Sequence, residues 1–165
     1  MRRLTPWLYI AVVVACAAFI VSTSGDLPER VASHFGRDGQ ANGWMPREMY
    51  VRFILGAAVL VPLILVALLA WLPRSFPRAV NLPNRAYWFA EERRDTTLAS
   101  MSMFAWTFGA LLAALVAGVH WAVVEANVRR PPVLAESAIE ALLAGFGLTI
   151  GLWIVAWYLR FRRPG

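Results

Sequence analysis

The sequence predicts an all-α integral membrane protein, with four transmembrane helices and a short extracytoplasmic amphipathic helix and turn after the first. Three observations predict it. Of the 165 residues, 59% are hydrophobic, and the mean hydropathy of +0.56 is above that of ordinary soluble domains. Apolar runs occur four times, each near the ~20 residues that a helix needs to cross a bilayer core. None of these runs has a charged residue in its middle, where one charge costs about 2.5–3.5 kcal/mol on insertion scales.

The first run covers residues 7–23. Met1-Arg2-Arg3 ahead of it resembles the start of a secretory signal peptide, and Val13-Val14-Ala15-Cys16 loosely resembles a lipoprotein cleavage box. The run stays apolar from Ala17 to Val21, past Cys16, and Ser22 to Gly25 is only a fair cleavage sequence. The segment therefore reads as a retained span, with Cys16 a small packing residue. A single cysteine permits no intrachain disulfide.

The outer loop, 24–50, begins with helix-start features. Asp26 can cap, Pro28 is tolerated in a first turn, and Glu29 stands where a capping-box partner stands. Leu27, Val31 and Phe35 recur at four-residue spacing, which predicts one apolar stripe on a short helix that Gly36 stops. Turns at Asp38-Gly39 and Asn42-Gly43 follow, and Trp44-Met45-Pro46 leads back to the bilayer. This places His34 at the end of the short helix.

The second run, 51–71, contains Pro62, expected to kink it. Three prolines in the inner loop, 72–97, forbid one continuous helix. A short helix over about 84–94 is expected there, bringing Tyr87, Trp88 and Phe89 to headgroups or protein and Arg85, Arg93 and Arg94 near phosphates. The third run, 98–124, carries Ala105, Gly109, Ala113 and Ala117 every four residues. A second outer loop, 125–137, holds Pro131-Pro132 and ends in a capping box from Ser137 to Glu140, which accounts for Glu140 and starts the fourth run, 138–158. Arg129 and Arg130 read as a solvated turn. Gly147 and Gly151 form a small-residue pair on the fourth run, on the spacing of Ala141 and Gly145. Small residues at this spacing let helices approach closely, within one bundle or between copies of a homo-oligomer. The chain, 1–165, reads as one membrane domain.

All sixteen basic residues are arginine, and the net charge is +6. Ten lie on the side of the N-terminus (Arg2, Arg3, Arg74, Arg78, Arg85, Arg93, Arg94, Arg160, Arg162, Arg163) and six on the other. That bias predicts cytoplasmic termini. Trp7, Trp71 and Trp157 fall at one interface and Trp121 at the other, as amphipathic rings do. Topology and attraction to the lipid bilayer account for the charge, so no nucleic-acid partner is expected.

The chain holds no GxSxG, HExxH, P-loop, GxGxxG or CxxC, and no carboxylate pair lies at membrane depth to relay protons. His34 and His120 are the only histidines, both expected on the outer side with Asp26, Glu29, Asp38 and Glu125. Two imidazoles and a carboxylate can bind zinc or copper. No close His spacing supports that, so neither metal nor cofactor is expected. The rival class, a metal-dependent membrane enzyme, requires His34 and His120 to converge.

Pro28, Val31, His34, Phe35, Gly39, Asn42, Gly43 and Trp44 together resemble the bacterial membrane family called domain of unknown function 1648. Asn81-Leu82-Pro83-Asn84, Tyr87-Trp88 and Glu92-Arg93-Arg94 resemble that family's inner-loop segment, so the resemblance covers residues 28 to about 97. Gly36 departs from the polar Asn usual after His-Phe. The domain is also found at the start of immunity proteins against the sporulation-delaying peptide toxin, which carry a further transmembrane domain. The resemblance implies a multi-pass protein of the bacterial inner membrane, with a non-enzymatic role in immunity to a membrane-active peptide or in signal reception. The recognition loop expected is His34, Phe35, Arg37, Asp38, Gly39, Asn42, Gly43 and Trp44. The inner-loop motif is Asn81, Pro83, Asn84, Tyr87, Trp88, Arg93 and Arg94. The partner is then a peptide or another membrane protein. Alternatively the chain is an accessory subunit of a larger membrane complex, or a homo-oligomer through Gly147 and Gly151.

Overall fold

The computed structural model describes residues 5–162; Arg2, Arg3 and Arg163 of the charge count lie outside the described residues. Helix α1 (Thr5–Thr23) runs into a 3-10 turn and then a β-hairpin, β1 (Arg30–Phe35) and β2 (Ala41–Pro46). Next come α2 (Arg47–Ser75), a second 3-10 turn, the single-turn α3 (Arg85–Trp88), and the long helices α4 (Glu91–Val128) and α5 (Glu136–Phe161). Helices α1, α2, α4 and α5 are each long and apolar enough to cross a membrane, and they contain the four apolar runs. The chain is a multi-pass membrane protein. The hairpin and the 129–135 loop lie at one end of the bundle, and the 76–90 segment and the end of α5 lie at the other.

Helix α4 is the centre: α1, α2 and α5 all pack on it, while α5 has no comparable contact with α1 or α2. Its inner face is the small-residue stripe. Ala105, Gly109, Ala113 and Ala117 are all buried, and His120 follows on the same face. A Cβ on Gly109 would collide with the Val66 side chain and lie 2.8 Å from Tyr9 Cε2. In lipid there is no hydrophobic gain from hiding apolar surface, so close van der Waals contact across small residues holds such helices together. Helix α2 answers with Ile54, Ala58, Pro62 and Val66, buried at matching intervals.

The predicted amphipathic helix after α1 is not formed; the segment is a strand. The apolar stripe is real, since Leu27 and Val31 are buried and Phe35 packs on the same cluster. Its spacing of four is an even number, however, and residues four apart share a face of a strand as well as of a helix. What decides is the partner. Ala41–Pro46 pairs antiparallel with β1, placing Val31 opposite Met45 and Ala32 opposite Trp44. Six residues of helix would gain too few hydrogen bonds to offset nucleation. The chain reverses at 36–40, where the Gly36 amide donates to the Gln40 carbonyl at 2.8 Å and the Gln40 amide to the Asp38 carboxylate at 3.1 Å. Gly39 sits at φ +74°, and a Cβ there would also lie 2.6 Å from the Leu134 carbonyl oxygen. That close approach joins the turn to the other loop: the Leu134 amide donates to the Gly39 carbonyl at 2.9 Å, and Gln40 bridges Val133.

Two more ties hold the hairpin down. The Asn127 side-chain amide near the end of α4 acts as a neighbouring peptide for β1. It accepts from the Ala32 amide at 2.9 Å and donates to the Ala32 carbonyl at 3.0 Å. Arg47, at the start of α2, donates through its guanidinium to the carbonyls of Gly25 and Leu27 at 3.2 and 2.9 Å.

Two further expectations change. The short helix expected over 84–94 is split: α3 ends at Trp88, and residues from Glu91 already belong to α4. The Ser137–Glu140 capping box is not used. Helix α5 starts at Glu136 with Ala135 as N-cap and no side-chain cap, because the tie from Leu134 to Gly39 fixes where the loop ends.

Asn127→Ala removes both Ala32 bonds and leaves a shielded peptide unpaired. It is expected to cost about 1–3 kcal/mol in detergent unfolding. Amide exchange at Ala32 should accelerate with it; unchanged exchange would show that the tie carries no stability.

Candidate functional site

The hairpin end has an exposed face above a buried polar layer. On the exposed face, Arg30, His34, Asn42 and Trp44 all point away from the bundle, and Trp44 keeps 48% of its surface open. His34 and Asn42 face each other across the hairpin, with Nδ1 and Oδ1 2.5 Å apart. Gly43 stands opposite His34, and a Cβ at Gly43 would lie 2.9 Å from the His34 Cβ, so this close crossing requires glycine. The two bulges at Ala32–His34 and His34–Phe35 turn His34 outward while Phe35 packs inward. Arg37 and Asp38 are exposed at the tip. Of the predicted recognition residues, His34, Arg37, Asp38, Asn42 and Trp44 are thus available to a partner. Phe35, Gly39 and Gly43 shape the hairpin. Arg30 was not singled out by sequence reasoning, because only strand pairing puts it on the face of Trp44.

His120 is in the layer beneath, fully buried. Its Nε2 is 2.9 Å from Thr23 Oγ1 of α1, and its Nδ1 is 3.0 Å from Tyr50 Oη of α2. The Tyr50 ring stacks on the imidazole at 5.7 Å, and Phe19 meets it edge-on at 6.1 Å. The Thr23 hydroxyl donates to the Phe19 carbonyl at 2.8 Å. Having one proton, it must accept from His120, which assigns the Nε2–H tautomer and leaves Nδ1 to accept from the Tyr50 O–H. A neutral imidazole satisfies every group in this layer. His120 thereby joins α1, α2 and α4 at one point.

His34 and His120 are not brought together as ligands. One is exposed and bonded to Asn42; the other is enclosed with both nitrogens engaged by hydroxyls. Among the described residues, no group of three or more His, Cys, Asp or Glu side chains is placed to hold a metal.

The inner-loop motif forms a latch at the opposite end. Asn84, in the left-handed region at φ 53°, donates through Nδ2 to the Arg162 carbonyl at 2.9 Å, and Trp88 Nε1 donates to the Phe161 carbonyl at 2.9 Å. These are carbonyls at the end of α5, where the helix itself supplies no donors. Arg93 lies 4.1 Å above the Tyr87 ring and Arg160 4.8 Å above the Trp88 ring. Pro83 is half-buried, and Asn81 and Arg94 are exposed. Gly147 and Gly151 face outward on α5, where an added Cβ would meet no atom within 4 Å.

In a double-mutant cycle, Tyr50→Phe and His120→Ala should each destabilise the protein in detergent. His120→Ala should cost more, since it opens a cavity and strands the Tyr50 hydroxyl. The pair should cost less than the sum by about 0.5–3 kcal/mol. Strict additivity would mean that the bond between them contributes nothing.

Comparison with known proteins returns no match among curated proteins and none among solved structures. The model of the family described as Domain of unknown function (DUF1648) matches residues 10–66. That stretch takes in most of α1, the whole hairpin and the first part of α2, so the exposed face, Thr23 and Tyr50 fall inside it. The latch, α4 and α5 fall outside it. From the first transmembrane helix through the hairpin into the second, the chain is similar to the domain of unknown function 1648.

Proposed function

We propose that this is a non-enzymatic protein of the bacterial inner membrane whose exposed hairpin face receives a membrane-active peptide, as in immunity or signal reception. The observation that carries the reading is that face itself. Arg30, His34, Asn42 and Trp44 stand exposed on a hairpin tied down at Ala32, Gly39 and Gly25–Leu27. A rigid platform lowers the ordering cost of binding. Trp44 offers an amphipathic ring at the bilayer boundary, where a peptide partitioned into the leaflet would lie. Arg30 and Arg37 offer cations and Asp38 an anion.

The orientation rests on charge. The latch end and its flanks carry ten arginines and three carboxylates, net +7; the hairpin end carries six and seven, net −1. The bias of ten arginines against six is what supports cytoplasmic termini and an outer hairpin, since the rule counts basic residues.

The test is survival of cells challenged with toxin peptides from neighbouring strains. Deletion should sensitise them. Variants His34→Ala and Trp44→Ala, present at wild-type levels, should fail to rescue. In the same cells, Trp44→Cys in a Cys16→Ser background should react with a membrane-impermeant maleimide without lysis. Equal survival of all strains ends the recognition reading, and labelling only after lysis inverts the orientation.

A second reading, that the chain assembles with copies of itself or with a larger complex, is favoured by α5. Among the long helices this one packs chiefly on α4, and Gly147 and Gly151 leave part of its outer side open to close approach. Cross-linking in membranes should give a dimer that Gly151→Leu abolishes. A wild-type chain that stays monomeric at every concentration tested refutes this.

A further inference from the structure

Helices α2 and α5 both lie on α4 but scarcely touch each other near the latch end. Between them is a cavity of about 290 Å³ that opens sideways toward the bilayer. Its walls are Leu69 and Leu72 on one side and Trp153 and Trp157 on the other; Phe104 forms its floor. Asn81 of the latch segment closes its end and is the one polar side chain in the lining. Leu69 and Leu72 each keep 42% of their surface open.

The surroundings of the closed end are basic. Arg74 follows Pro73 of the cavity wall, and its guanidinium reaches Ser102 Oγ at 3.0 Å and the Ala70 carbonyl. Arg85 donates to the Pro77 carbonyl at 3.0 Å, which draws it over the same segment as Arg78. All three side chains are exposed. Among the described residues the one ion pair is Arg52–Glu48, at the hairpin end, so none of these three is paired with a described carboxylate. An apolar slot at membrane depth, ending under uncompensated guanidinium groups at the level of the headgroups, has the chemistry of one ligand. Arginine forks match phosphate oxygens, and the slot takes a hydrocarbon chain.

We propose that the gap between α2 and α5 is a binding site for an anionic phospholipid. One acyl chain lies along Phe104 between Leu69–Leu72 and Trp153–Trp157, and the phosphate meets Arg74, Arg78 and Arg85. The lipid fills the space that the loose attachment of α5 leaves and neutralises charge that no carboxylate among the described residues reaches.

Native mass spectrometry of the full chain, released from nanodiscs of mixed phosphatidylglycerol and phosphatidylcholine, tests this. Phosphatidylglycerol should be retained preferentially at one lipid per chain. Each of Arg74→Gln, Arg78→Gln and Arg85→Gln should weaken that preference about fivefold, as expected for about 1 kcal/mol per basic residue at an anionic surface. Leu69→Trp, which fills the gap from an exposed position, should abolish retention of either lipid without lowering the unfolding temperature in detergent. Equal retention of both lipids by the wild type, or retention indifferent to Leu69→Trp, overturns the proposal. A dimer that Leu69→Trp dissociates also overturns it, by assigning the gap to a second copy.

Discussion

The structure depends on how closely α4 can be approached. A helix placed among three others in lipid has no solvent to exclude, so its place is set by close contact and by hydrogen bonds between helices. At Ala105, Gly109, Ala113 and Ala117 the side chains are small enough for α1 and α2 to come against the backbone of α4. Gly109 is the tightest point, wedged between Tyr9 and Val66. Larger residues here would push α1 and α2 outward and separate the groups that meet further along. Beyond the stripe, the same face changes character. His120 fills the space between α1 and α2 with a ring that bonds to both, and Asn127, two turns later, grips the hairpin. One face of one helix thus sets contact distance, then registers the neighbouring helices, then positions the hairpin.

Much of this was legible in the sequence, for physical reasons particular to each part. The spans follow from apolar length, because an uncompensated peptide or charge cannot stay in lipid. The stripe on α4 was legible because small residues every four positions have one evident use in a membrane. The hairpin was not, because Leu27, Val31 and Phe35 satisfy helix and strand periodicity equally, and the deciding partners are distant in sequence. Ala32 is held by a residue 95 positions away. His120 was visible as a rare residue, but its role was not: its partners Thr23 and Tyr50 are 97 and 70 positions away. The inner-loop motif was seen as a motif, yet only the fold shows that Asn84 and Trp88 close the end of α5.

The two ends of the molecule are built to different standards. At the hairpin end, α1, α2, α4 and both loops converge on shared hydrogen bonds. At the latch end, α5 is held by its terminal carbonyls, by Arg160 on Ser100 and Trp88, and by Trp153 Nε1, which donates toward the Phe104 carbonyl and Thr107 hydroxyl of α4 at 3.1 Å each. Its remaining surface faces lipid. The family match covers most of α1, the hairpin and α2 as far as Val66, so it takes in Thr23, Ala32 and Tyr50 of the tightly built end but not their partners His120 and Asn127.

The Asn127 amide has a consequence for the kind of partner the hairpin can meet. An exposed strand edge invites another chain to pair with it through the backbone, whatever its side chains. At Ala32 that edge is already occupied on both its N–H and its C=O by a side chain of the same molecule. The turn is likewise engaged, at Gly39 and Gln40, by Leu134 and Val133. Strand addition along β1 is closed, so a sticky extended peptide gains no general foothold there. Along β1, selectivity falls to the side chains it presents, and a binder there is told from a non-binder by its chemistry rather than by its capacity to form a strand.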